Sequence, residues 1–427
     1  MPDSETRDPE AAPGAVAPSD PAPASAETAG PVARRSVLRG IGLAGAAVVA
    51  AGAGVLAYRG YDQGVVATGR GPAYEPWRTW RDHRGPAAAV AAALLAANPH
   101  NIQPWLFRIA GEDIDVYADP DPERRIPVLD PYDRELHVGL GCALENLVLA
   151  ARAGGSDPQV RLLPDPGNAG HVATVTLRPG PRVAGAEYDA IPHRHTNRGP
   201  YRDRPIEDGL LGRMRALGAA DDSGPRLVWV TDPAQRSAVS DLMVRAAEAV
   251  TADEQQSVDG FAWFRADWDD IQHHRDGLTV DAQGVPAPVR SAAKLLPAQS
   301  RQAGDKFWVA QTRTVHTRTA AAYGMILVPD VNDPADRLRG GQLLQRLHLF
   351  ATAQGLALQH MNQITERADR ERQAGLAPEF GDALRNLLDN TPGTGAPGDR
   401  VLVMFRAGYP VRAALASPRR HVSEVLR

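Results

Sequence analysis

Cysteine is nearly missing from this 427-residue chain: Cys142 stands alone, which rules out an internal disulfide and a Cys-rich metal centre. Aromatic residues are scarce, at 5%. Neither sign of charge dominates, since 47 Lys and Arg face 51 Asp and Glu for a net charge of −4. That balance leaves no basic footprint for nucleic acid. The His pairs, His193 with His195 and His273 with His274, lack the i, i+4 spacing and partner Cys of a zinc site, so no metal is expected.

Large apolar side chains are absent from most of residues 1–33, where Pro, Ala, Ser, Asp and Glu dominate. Such a segment buries too little surface to offset chain entropy, and a disordered N-region is expected. Residues 34–60 differ: Arg34, Arg35 and Arg39 precede an uncharged, Ala- and Gly-rich run over residues 41–58. Paired arginines before a mildly apolar segment resemble the twin-arginine export signal, whose translocase carries folded proteins that already hold a cofactor. The run also has the length of a membrane helix. Both readings keep the basic side cytoplasmic and place the body outside, exported or anchored. The triplet Ala51-Gly52-Ala53 has the small-x-small form of a cleavage site but lies inside the apolar run, so an uncleaved anchor stays open.

What the chain does have is a dense polar turn, Asn98-Pro99-His100-Asn101-Ile102-Gln103-Pro104-Trp105. Residues 87–97 before it are almost all Ala, Leu and Val, which predicts a buried helix ended by Asn98 and Pro99. Leu106, Phe107 and Ile109 after it read as a strand. Amide and imidazole groups at such a junction suit a planar heterocycle such as a flavin. This element resembles the Asn-x-Gln-Pro-Trp junction of the nitroreductase superfamily, and a His before the Asn is a mark of its Acg-like branch. Its companions are Arg124-Arg125-Ile126-Pro127-Val128, Asp133-Arg134-Glu135-Leu136, Arg194-His195-Thr196-Asn197-Arg198 and Ser417-Pro418-Arg419-Arg420. The resemblance covers residues 78 to 427.

The chain also repeats itself. Residues 141–155 lie over residues 341–355 with Gly141/Gly341, Leu144/Leu344, Leu147/Leu347, Leu149/Leu349, Ala151/Ala351, Ala153/Ala353 and Gly155/Gly355 in common. Helical spacing makes each copy a buried or amphipathic helix with a terminal Gly. Residues 84–97 and 205–217 are helix-like leads into strand-like runs at 105–109 and 226–230. The resemblance implies an α+β fold of two fused pseudo-symmetric halves, helices around mainly antiparallel sheet, like an intertwined dimer in one chain. Half one is expected at 78–185 and half two at 190–427, with a lid-like insertion at 251–314 that carries Trp263 and Trp268.

By the same resemblance, one FMN lies between the halves. Asn98, His100, Asn101 and Gln103 come from half one, with Asn101 at the ring edge and Gln103 and Trp105 suited rather to fixing the turn and the core. Arg194, Thr196 and Arg198 form a phosphate clamp at alternate positions of an extended segment. Arg419 and Arg420 close over the phosphate, and Asn362 takes the place of a family carboxylate near the reactive nitrogen, with Glu366 one turn on. No equivalent clamp precedes half one, so one site is expected. Cys142 is expected to be a small core residue. The resemblance implies an exported FMN-dependent oxidoreductase, monomeric, passing hydride or electrons to small electron-poor acceptors, its donor unidentified. The other reading is a flavin-holding protein of the same fold without turnover.

Overall fold

The computed structural model describes residues 57–219, 224–394 and 400–427. The expected disordered region, residues 1–33, lies outside them, as does the expected export signal or anchor, residues 34–60, up to residue 56.

Half one begins with helix α1, Pro86–Ala93, in which Ala89, Ala91, Ala92 and Ala93 pack with almost no solvent contact. It stops at Ala93, sooner than the sequence suggested, and the chain reaches Asn98 through tight turns such as Leu95 N–H to the Ala92 carbonyl. Strands β1 (Trp105–Ala110) and β2 (Asp113–Ala118) form a hairpin, helix α2 (Arg134–Ala153) follows, and β3 (Ser156–Leu162) and β4 (His171–Pro179) complete an antiparallel sheet ordered β1-β2-β4-β3.

Half two repeats this order. After helix α3 (Asp208–Arg215) come β5 (Arg226–Val230) and β6 (Ala322–Val328), helix α4 (Pro334–Ala353), then β7 (Ala357–His360) and β8 (Arg400–Gly408), in an antiparallel sheet ordered β5-β6-β8-β7. Strand for strand and helix for helix, the two halves share one topology. They differ in what is inserted. A two-residue hairpin joins β1 to β2, whereas residues 231–321 separate β5 from β6, and two helices, Gln363–Ala374 and Glu379–Asp389, separate β7 from β8. The insertion therefore starts at the end of β5, not at residue 251, and includes helix Pro233–Ala252.

Helices α2 and α4 cross at their shared glycines. A Cβ on Gly141 would overlap the Leu338 carbonyl oxygen and sit 2.9 Å from the Gly341 Cα. A Cβ on Gly341 would overlap the Val138 oxygen and sit 3.0 Å from the Gly141 Cα. Only hydrogen fits on either side, and this reciprocity puts the pseudo-two-fold axis between the two glycines. Nearby, Gln345 Nε2 donates to Asn146 Oδ1 at 2.8 Å, again joining the halves. One apolar core runs from α1 and α2 through both sheets, and a second, with Met243, Ile364 and Phe380, covers the far face of sheet two. This explains why β6 is buried along its whole length while the edge strand β3 buries only Pro158.

The halves are also interlaced. Tail residue Arg427 N–H bonds the Phe107 carbonyl of β1, and Trp77, ahead of half one, stacks edge-on against His195 of half two with ring centroids 4.5 Å apart.

Candidate functional site

A cavity of about 470 Å³ lies between the halves. Half one supplies Asn98, Pro99 and His100 from the polar turn, and Glu135, Gly139 and Cys142 from α2. Half two supplies Thr196, Arg198, Gln359, His360, Asn362 and Glu366. The insertion adds an apolar roof that includes Val250, Phe261, Phe307 and Trp308. The volume is that of a small-molecule or cofactor site.

The turn is held in a costly shape. His100, Asn101 and Gln103 have φ of 46°, 58° and 50°, the left-handed region that non-glycine residues rarely adopt. Side chains force it: Asn98 Oδ1 accepts from Gln103 N–H at 2.8 Å, and Gln103 Oε1 accepts from Arg420 N–H at 2.9 Å. The result is an imidazole, His100, presented on the cavity wall.

Of the residues expected to bind a ligand, Asn98, His100, Thr196, Arg198 and Asn362 reach the wall together. Five others do not. Asn101 is engaged by the protein: its Nδ2 donates to the Gly277 and Pro418 carbonyls at 3.2 and 2.9 Å, and its Oδ1 accepts from Arg419 at 2.5 Å. Gln103 donates to the Arg275 carbonyl at 2.8 Å. Arg419 and Arg420 act as rivets for the turn, bonding the Ala96 carbonyl at 3.1 Å and the Trp105 carbonyl at 3.0 Å respectively. Arg194 leaves the short turn Ile191–His193 with extended backbone, but its guanidinium is engaged by the Leu95 carbonyl of half one at 3.1 Å.

Electrostatically, Arg198 on the wall and Arg194 and Arg419 behind it are uncompensated. The charged or ionisable neighbours acting on Arg194, Arg198 and Arg419 are Cys142, Tyr201, Arg406 and each other, with no carboxylate among them. Burial pushes Arg198 down to about 10. Burial and the Arg198 charge push His100 down to about 4, and burial with Arg194 and Arg198 takes His360 to about 3, so both imidazoles are neutral at pH 7. His316, placed on the wall by a π-turn, Thr312–His316, is likewise held well below its usual value by burial and then Arg406. His316 and His360 each keep a buried Nε2 without a hydrogen-bond partner. The Cys142 thiol, hydrogen-bonded to the Gly341 carbonyl at 3.2 Å, is pushed up to about 12 by burial and is unreactive.

The sequence reading passed over His316 and His360 as site residues and gave Glu135 no role. Two polar residues next to apolar strand ends, His360 closing Ala357–His360 and His316 before Ala322–Val328, were the available signal.

This is an α+β protein of two fused halves around a cavity on which a buried arginine, Arg198, has no carboxylate facing it. No family model matches the chain. It is similar to the Mycobacterium tuberculosis (strain H37Rv) proteins Rv3131 and acg, both named as NAD(P)H nitroreductases. Rv3131 is 27% identical over 81% of this chain and 95% of its own length, and acg is 27% identical over 68% and 83%. These matches support placement in the nitroreductase superfamily. Among solved structures, the FMN-dependent nitroreductase NfnB of Mycobacterium smegmatis, crystallised with NADPH, is 16% identical, covering 57% of this chain and 97% of its own at a TM-score of 0.35. A superposition that loose defines no shared fold by itself.

Proposed function

We propose that this protein is a flavoprotein oxidoreductase of nitroreductase type that holds one FMN in the cavity between its halves. It passes hydride or electrons to a small electron-poor acceptor such as a nitroaromatic or quinone. The observation that carries this reading is the wall around Arg198: a buried cation with no carboxylate facing it, beside Thr196 and the unpartnered Nε2 atoms of His316 and His360. An anion there neutralises Arg198 and accepts charge-assisted hydrogen bonds. His100 and Asn98 lie on the opposite, half-one side, where a planar ring system fits between turn and roof. When bound, flavin supplies the hydride chemistry, and the chain supplies orientation and exclusion of water. The apolar roof selects small, flat acceptors and limits the approach of bulky donors such as NAD(P)H. We also propose that the body is exported through the twin-arginine translocase, on the strength of Arg34 and Arg35, and acts as a monomer.

The test is the absorbance of the purified chain. Flavin bands that bleach with NADPH or a chemical reductant and recover on adding a nitroaromatic or quinone support the reading. Colourless protein that takes up no FMN on refolding overturns it. Bound FMN that no acceptor reoxidises makes the protein a flavin holder instead.

A further inference from the structure

The reduction of a quinone or nitro group consumes two electrons and two protons, and hydride brings both electrons but one proton. The other proton needs a source on the cavity wall. Most ionisable wall groups are unsuited. His100, His316 and His360 are neutral by burial, Cys142 holds its proton too tightly, and Arg198 is a permanent cation. Asp267 is exposed, Lys294 is paired with Asp281 at 2.7 Å, and Asp305 is engaged with Ser257 at 2.6 Å and Arg301 at 3.6 Å.

Two carboxyl groups are left, and both line the cavity: Glu135 on the first turn of α2 and Glu366 on the first turn of helix Gln363–Ala374. They come from different halves and approach each other side chain to side chain where Arg134 of α2 ties the two helix starts together through Asp369 at 2.8 Å, with Asn362 beside Glu135. Two buried carboxyl groups in such proximity require a proton between them. Both residues are buried, and Glu135 Oε1 has no hydrogen-bond partner. The charged surroundings are acidic on balance. Arg134 lies 3.7 Å from Glu135 but is bonded at 2.8 Å to Asp369, Asp130 adds negative charge from the loop before α2, and Arg337 of α4 faces Asp130 and Asp369. Burial and the Glu135 charge hold Glu366 well above the ordinary carboxylate range, and burial with Glu135 pushes Asp130 up to about 7.

We propose that Glu135 and Glu366 share one proton beside the cavity and deliver it to the acceptor as hydride arrives. With a quinone, the carboxyl O–H bond of Glu366 breaks and an O–H bond forms on the quinone oxygen; a bound flavin would supply the hydride and with it both electrons, and the carboxylate pair regains its proton from water. The pair takes over the job that the sequence left without a candidate when Asn362 stood in the carboxylate position. This inference rests on the flavoprotein reading above.

Two measurements test it. Infrared difference spectra of the purified chain across neutral pH show a protonated carboxylic-acid carbonyl band that disappears in Glu366→Gln. In FMN-loaded protein, reoxidation of the reduced form by a quinone slows roughly a hundredfold in Glu366→Gln and loses its pH dependence, while Glu366→Asp retains part of both. Unchanged reoxidation in a Glu366→Gln protein that still binds FMN overturns the proton role and leaves the flavin reading standing. Absence of the carbonyl band in the parent overturns the shared proton. Failure of the parent to bind FMN sinks both.

Discussion

Replacing Gly341 by Ala adds one methyl group at the point where α2 and α4 touch. That methyl would overlap the Val138 carbonyl oxygen and lie 3.0 Å from the Gly141 Cα, against 3.4–4 Å for ordinary contact. Both obstacles are backbone, so no side chain can rotate away. The helices must part by about 1 Å, and a gap of that size forfeits between a quarter and a half of the dispersion attraction across it. With overpacking costs of about 1–3 kcal/mol and occasionally more, a loss of roughly 3 kcal/mol follows, or a fall in Tm of about 5 °C. Because Gly139, Cys142 and Leu344 line the cavity from these same helices, FMN affinity falls too. The control is Gly212→Ala in α3, where a Cβ has nothing within 4 Å; helix propensity predicts a gain of about 0.5–1 kcal/mol there. Thermal unfolding of the three proteins decides the matter. A Gly341→Ala variant melting within about 1 °C of the parent, with unchanged FMN affinity, would refute the tight crossing and the axis drawn through it.

Arg198→Ala weakens FMN about ten- to a hundredfold but leaves riboflavin nearly untouched, as a lost charged hydrogen bond of about 1.5–3 kcal/mol implies; equal loss for both ligands in titrations removes Arg198 from the phosphate. Glu366 has a folded pKa raised above 4.5, so its contribution to stability is full below that pH and is lost as pH rises through the folded value. The Tm of Glu366→Gln relative to the parent should therefore climb from about pH 4 to pH 8, and a flat difference contradicts the raised value. Lys replacement of Arg34 and Arg35 leaves folded protein in the cytoplasm, and unchanged export in fractionated cells points to a general secretory anchor. Shortening the insertion between residues 251 and 314 speeds reduction by external donors in stopped-flow without abolishing FMN binding; a slower or unchanged rate ends the idea of a gating roof.

The duplication was legible because it rests on short-range patterns: the Gly-Leu-Leu-Leu-Ala-Ala-Gly set repeats at helical spacing and needs no tertiary knowledge. Its full extent was not, because the equivalence of β2 with β6 and β4 with β8 is topological and their sequences share no motif. The polar turn was legible as a place, and His100 and Asn98 do line the cavity. The roles within it were harder to read. Whether an amide such as Asn101 or Gln103 faces ligand or backbone depends on the tail at 417–420, more than 300 residues away, and on the insertion at 275–277, whose approach no local pattern announces. Arg194 misled for a different reason: its backbone is extended, but its guanidinium is taken by the Leu95 carbonyl, a partner from the other half that alternation does not announce. Glu135 and Glu366 become a pair only when two helix N-termini from different halves converge.

Joining the halves in one chain changes how occupancy responds to dilution. A cavity assembled from two separate subunits empties when the subunits fall apart, so its ligand is lost as protein becomes scarce. Here β4 is tied to α3 by one peptide segment, and the partner surface is present at an effective concentration on the order of millimolar at any expression level. Such a protein holds its ligand at a few copies per cell. The tether also frees each half from having to match the other: a roof of residues 231–321 on one side faces a two-residue hairpin on the other, an asymmetry closed to any assembly of identical chains.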